Sequence, residues 1–185
     1  MRAQAPERSP ISYEVNVARL PKTGLTVKID ASEAEKAELA AVHGLEAIER
    51  LHAELAVSPW KRNGVKIEGR VEADVVQVCV VTLEPVTNRV DEEISAVFLP
   101  EDSRLGREGF GVGGEIMIDP EGPDSPETFS GDRIDVGALT EEFFALGIDP
   151  YPRKLGAAVP DKQEPARDEE ENELQRKLRQ LFPKT

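Results

Sequence analysis

Gly69-Arg70-Val71-Glu72-Ala73-Asp74-Val75-Val76-Gln77-Val78-Cys79-Val80-Val81-Thr82-Leu83-Glu84-Pro85-Val86 is the stretch on which the fold turns. Its front half alternates apolar and polar side chains with period two, the pattern of a long strand with one buried face. Pro85 lacks a backbone N–H and is expected to end that strand. Downstream, Val90 to Leu99 carries Ile94, Ala96 and Phe98 on one face, which makes it the natural antiparallel neighbour. Upstream, Asn63-Gly64 is a strong hairpin turn signal, pairing Leu51–Ser58 with Val65–Val81, with room for a bulge at Gly69.

Further out the pattern changes. Ser12 to Leu20 alternates, with Tyr13, Val15 and Val17 on one face, and Leu25 to Ile29 returns after the Pro21-Lys22-Thr23-Gly24 turn, so a first hairpin is expected. Ser32-Glu33-Ala34-Glu35 is a capping box that opens a helix, stopped near Gly44. Leu45 to Val57 keeps both helical and strand spacings; a short helix or turn followed by a strand from about Glu49 is preferred. Asp135 caps a second helix, with Val136, Leu139, Phe143 and Leu146 on one side. Asp149-Pro150-Tyr151-Pro152 is held extended by its prolines. Glu171 to Leu181 spaces Leu174, Leu178 and Leu181 as a short amphipathic helix.

The fold class that follows is α+β: an antiparallel β-sheet, with barrel-like closure left open, and two or three packed helices. Residues 1–9 are a disordered lead-in, 10–158 a single domain, and 159–185 a linker and C-terminal helix. Within the domain, 100–131 is a mobile acidic loop rich in Pro and Gly, with Gly114–Ile118 as a short strand.

The 185 residues carry a net charge of −13, and residues 91–142 alone hold 15 acidic residues against three basic ones. Such a chain is at a long-range disadvantage on nucleic acid and attracts basic partners. The single cysteine excludes an internal disulfide and any multi-cysteine zinc cluster. With no apolar segment at the N-terminus and no long apolar run, the expectation is a cytoplasmic protein with no membrane partner.

Two motifs carry a resemblance. Cys79-x-x-Thr82-Leu83-Glu84-Pro85-Val86 resembles the Cys-x-Arg-Cys-Leu-x-Pro segment of the YceD family, the large-ribosomal-RNA-subunit accumulation proteins. Val81 stands where Arg is usual and Thr82 where a second Cys is usual. Ile134-Asp135-Val136-Gly137-Ala138-Leu139 resembles the family's Ile-Asp-Leu-Gly-x-Leu helix start, and Asp149-Pro150-Tyr151-Pro152-Arg153 follows at the expected distance. The resemblance spans residues 10–158. It implies a role in ribosome biogenesis and accumulation of 23S rRNA.

Each chemistry-bearing group has a plainer reading. Cys79 inside Val-Gln-Val-Cys-Val-Val reads as a small buried hydrophobe on a strand, and Thr82 is a poor zinc ligand. The motif residues Cys79, Thr82, Leu83, Glu84, Pro85, Asp135 and Gly137 are thus expected to be structural. His43 and His52 have no metal-pair spacing and read as surface residues. Gly109–Gly114 matches no phosphate loop, and the prolines among Asp119, Glu121, Asp124 and Glu127 oppose a calcium loop. Neither a catalytic set, nor a metal, nor a cofactor is expected.

The binding candidates are Lys61 and Arg62 at the hairpin tip, with Trp60, and Tyr151, Pro152, Arg153 and Lys154 after the second helix. Each could meet RNA phosphate and stack a base, or be a solvated turn. The leading expectation is a non-catalytic factor that binds a basic ribosomal protein or the large-subunit pre-rRNA, and not DNA. The alternative is a metal-dependent enzyme acting on RNA through clustered carboxylates.

Overall fold

Period-two burial decides the architecture, and it is visible along three consecutive strands. A computed structural model describes residues 9–61, 63–101, 103 and 126–157. Strands β3 (Ala47–Trp60), β4 (Gly64–Val78) and β5 (Pro85–Pro100) run antiparallel over 14, 15 and 16 residues. Strand β2 (Leu25–Asp30) pairs with β3, and the short β6 (Glu127–Phe129) lies parallel to β5. The sheet order β2-β3-β4-β5-β6 leaves β2 and β6 as edges, so the sheet is open and mixed rather than barrel-like. Helices α1 (Glu33–His43) and α2 (Val136–Leu146) contribute to the same buried cluster, giving the expected α+β fold.

The inward positions of β4, Val65, Ile67, Val71, Ala73 and Val75, are all buried. They meet Leu51, Leu55 and Val57 of β3, and Val90, Ile94 and Phe98 of β5, beneath Leu39 of α1 and Leu139 and Phe144 of α2. Each such Val, Leu or Ile contributes roughly 1.5–3 kcal/mol by leaving water, so this one layer dominates stability. The opposite face is charged and internally paired. Arg50 reaches Asp74, Arg89 reaches Glu72, Arg70 reaches Asp91, and Lys28 reaches Glu54.

The ambiguity of Leu45 to Val57 has a structural cause. The β3–β4 register shifts between Ile48 and Arg50, so Glu49 is an extra residue and both Ile48 and Leu51 point inward. That phase jump imitates helical spacing. Lys36, buried on α1, donates to the Glu49 carbonyl at 2.9 Å and to Glu33 at 2.7 Å, which satisfies the bulged backbone. The bulge is therefore at Glu49, not at Gly69. At Gly69 pairing is continuous to Leu55 and Ile94, and glycine is required because a Cβ would collide with the Glu54 carbonyl.

Other expectations divide. The capping box of α1 forms, with Ser32 and Glu35 bonded reciprocally, and Gly44 ends the helix at φ +66°. Asn63-Gly64 closes the β3–β4 hairpin as expected, with Trp60 opposite Gly64. The first hairpin does not form. Only Glu14–Asn16 is strand (β1), because the Asn16 side chain accepts the Arg19 N–H at 3.1 Å and turns Val17–Arg19 into one 3-10 turn. β1 instead pairs with β7 (Arg133–Asp135), Val15 opposite Ile134. On α2 the buried side is Val136, Leu139, Thr140 and Phe144, whereas Leu146 is 77% exposed. Thr140 is tolerated inside because its hydroxyl donates to the Val136 carbonyl at 2.8 Å. Strand β4 ends at Val78, so Pro85 opens β5 rather than ending β4.

Residues Met1–Lys154 form one compact unit and Leu155–Thr185 a second, of which 155–157 are described. Residues 1–8 of the expected lead-in at 1–9, most of the acidic loop with Gly114–Ile118, and the helix at 171–181 lie outside the described residues. Gly69→Ala should lower unfolding stability by about 2 kcal/mol through backbone displacement, measured by denaturant titration; an unchanged midpoint would refute the close-approach argument.

Candidate functional site

The two motif segments are brought together at one end of the sheet. Beyond Val78 the chain makes a tight turn, in which Cys79 N–H donates to the Glu84 carbonyl at 2.8 Å and Leu83 N–H to the Cys79 carbonyl at 2.9 Å. The segment after α2 then docks on this turn. Val80 N–H donates to the Pro152 carbonyl at 2.9 Å, and Lys154 N–H reaches the Cys79 sulfur at 3.3 Å. The Lys154 ammonium meets Glu84 at 2.7 Å. Gln77 supports the join from below, donating to the Asp149 carbonyl at 2.8 Å and accepting from Asn88 at 2.8 Å.

Cys79 is buried, as expected, but in the turn rather than on a strand, and its sulfur is a hydrogen-bond acceptor rather than a plain hydrophobe. The backbone N–H of Lys154 is the largest influence, followed by the hydroxyl and N–H of Thr82; together they outweigh burial and hold the thiol down at about 6. Thr82 thus sets its hydroxyl beside the Cys79 sulfur, at the position where the resembled family carries its second thiol. Lys154 and Glu84 shift each other in opposite senses, the carboxyl downward and the ammonium upward. That pair is in water, so it orients the segment more than it stabilises it.

The turn exacts a backbone cost. Leu83 has φ +59° and is 76% exposed. A left-handed conformation costs a leucine about 1 kcal/mol or more, and an exposed side chain returns nothing to the core.

Asp135 and Gly137 form a separate anchor. One Asp135 oxygen accepts the N–H groups of Tyr13 (2.8 Å), Gly137 (3.0 Å) and Ala138 (3.1 Å), and the other accepts the Ser12 hydroxyl at 2.7 Å. Burial alone would raise this carboxyl; the Ser12 hydroxyl and the three N–H groups reverse that and hold it below its ordinary value. Gly137 is bare because a Cβ would lie 2.6 Å from the Tyr13 nitrogen. Both residues tie the N-terminal strand to α2.

The expected binding residues part company. Tyr151 and Arg153 are exposed, Pro152 is buried, and Lys154 is committed to Glu84. At the hairpin tip the Lys61 ammonium stacks 4.3 Å over the Trp60 ring, beside an open cleft of about 530 Å³ lined by Leu20, Pro59, Val65 and Phe129. Arg62 lies outside the described residues. The two basic groups are not brought together: the tip joins the end of β3 to the start of β4, whereas the segment after α2 docks beyond the other end of β4. His43 is half-buried rather than a surface residue, bonded to Glu141 at 3.0 Å and set edge-on to Phe144, and it ties α1 to α2. His52 bonds Asp30 at 2.7 Å between β2 and β3.

Gln77 is not among the residues that the sequence singles out, and Leu83 is among them only as a structural motif residue. Gln77 had a signal, a polar residue at an inward position after Val71, Ala73 and Val75. Among the described residues no group of three or more His, Cys, Asp or Glu side chains could hold a metal ion, and no helix is long and apolar enough to cross a membrane.

Two expectations follow from this chemistry. As Cys79 is the sole thiol, ultraviolet thiolate absorbance should titrate near pH 6 in the folded protein and at roughly 8.5 once unfolded. A depressed acid stabilises the fold above its unfolded value, and that contribution is lost as pH falls through the folded one. A native midpoint at or above the unfolded one would sink the sulfur-acceptor account. Asp135→Ala should cost about 1–2 kcal/mol at neutral pH, with the gap to wild type narrowing as pH falls below about 4. Equal denaturation midpoints for the two proteins at neutral pH would exclude the anchor.

Comparison with known proteins supplies the context. The family model described as Large ribosomal RNA subunit accumulation protein YceD matches residues 67–182. No curated protein and no solved structure matches the chain significantly.

Proposed function

The chain belongs to the YceD family, and on that premise we propose that it is a non-catalytic factor in large-ribosomal-subunit biogenesis. It acts in the cytoplasm by holding a basic ribosomal protein or the large-subunit precursor RNA while 23S rRNA accumulates. The family's name implies the role in large-subunit RNA accumulation; the holding mechanism is this reading's own addition.

The observation that carries it is the join between the Cys79–Glu84 turn and Pro152–Lys154. Two motif segments far apart in sequence are locked by backbone hydrogen bonds and finished as surface, with Tyr151 and Arg153 left outside. A rigid exposed edge loses little entropy when a partner settles on it. The excess of carboxylates in residues 91–142 adds long-range attraction for a basic protein.

Depletion of the protein should lower 23S relative to 16S rRNA, and the wild-type protein should co-sediment with large-subunit precursors. Arg153→Ala combined with Lys154→Ala should reduce that co-sedimentation severalfold with little change in melting temperature. Stoichiometric magnesium or manganese binding with metal-dependent cleavage of precursor RNA would replace this reading with the enzymatic one.

A further inference from the structure

Four of the large apolar side chains left exposed among the described residues lie on the segments that meet at the end of the sheet. Val78 closes β4, and Val80 and Leu83 ride on the turn that follows. Tyr151 precedes Pro152, whose carbonyl takes the Val80 N–H. Apolar side chains left exposed on two segments that hydrogen-bond to each other mark a candidate contact site.

Leu83 sharpens the point. Its left-handed backbone disfavours every bulky side chain, and its exposure means that folding gains nothing from leucine there. Asparagine or glycine would serve the turn better. A residue that folding disfavours and the core does not use is best explained by what it touches outside the molecule.

We propose that Val78, Val80, Leu83 and Tyr151 form a docking pole for a protein, and that its occupant is a basic ribosomal protein presenting an aliphatic or aromatic anchor. The proposal rests on the biogenesis reading above. Charge selects the class. Lys154 is neutralised by Glu84, Arg153 is the remaining cation of this segment, and Glu46 and Asp149 stand exposed nearby. Its aliphatic members neither neutralise phosphate nor stack bases, which leaves only Tyr151 and Arg153 for RNA and suits the pole better to a protein. The whole chain, at −13, favours a cationic protein. An apolar centre with a polar rim is the anatomy of a protein interface, in which a few central residues carry most of the affinity.

The test uses the full chain with photoreactive benzoylphenylalanine in place of Tyr151. One arm receives the proteins extracted from large subunits, the other the extracted 23S rRNA. The expected result is a crosslink to a basic protein, weakened on the order of tenfold by Leu83→Asn and by Val80→Ser. Leu83→Asn should melt no earlier than wild type, because it relieves the turn. A crosslink to RNA, or a protein crosslink that both variants leave intact, overturns the pole. So does the absence of any crosslink from a protein that still co-sediments with precursors, and the biogenesis reading then survives. Failure of the wild-type chain to co-sediment removes that reading, and the pole with it.

Discussion

One-sided burial of three long antiparallel strands is the constraint from which the rest descends. Once β3, β4 and β5 commit Val, Ile and Leu to one face, both helices must cover that face, and the other face must be finished for water. The charged face meets this with cross-strand ion pairs such as Arg50–Asp74 and Arg70–Asp91. Individually these are weak, but they leave little unpaired positive charge on that side. Register matters throughout, because a one-residue slip would exchange the two faces. The Glu49 bulge is the single place where the phase changes, and Lys36 secures it from α1.

The sheet also determines where its ends fall, and the distinctive chemistry sits at one of those ends. Ladder hydrogen bonding stops at Val78, so the turn from Cys79 must satisfy its backbone groups elsewhere. It does so internally and by recruiting Pro152–Lys154. Cys79 is thereby converted from filler into an acceptor for N–H groups from two segments. Thr82 supplies a hydroxyl at that sulfur, which gives this member of the family a hydrogen-bonded thiol in the position where a pair of cysteines is usual. The Asp135 anchor performs the comparable task at α2, collecting three N–H groups and one hydroxyl on a single carboxylate.

What emerges is a protein whose informative features are surfaces and joins. The exposed groups at the motif end include Val78, Val80, Leu83 and Tyr151, and of the two cations that sequence placed there Lys154 is occupied within the molecule. The hairpin tip offers another open cleft, with Lys61 held over Trp60. The Cys79 join and the exposed Leu83 turn give the motif end the stronger case for a function in contact.

Local signals in the sequence determined the elements whose causes are local. The capping box at Ser32–Glu35, the left-handed stop at Gly44, the Asn63-Gly64 turn, the Asp135 cap and the alternation of β4 each depend on residues a few positions apart, and each forms as read. Only the tertiary structure decided the rest. It paired β1 with β7 across more than a hundred residues, because the Asn16 side chain broke the expected hairpin and Asp135 offered Tyr13 a partner. It moved the bulge from Gly69 to Glu49, turned Phe144 rather than Leu146 inward, and withdrew Pro152 and Lys154 onto the Cys79 turn. Periodicity and capping are written in neighbouring residues, whereas pairing partners and the fate of a turn's free backbone groups depend on which distant segment reaches them first in three dimensions.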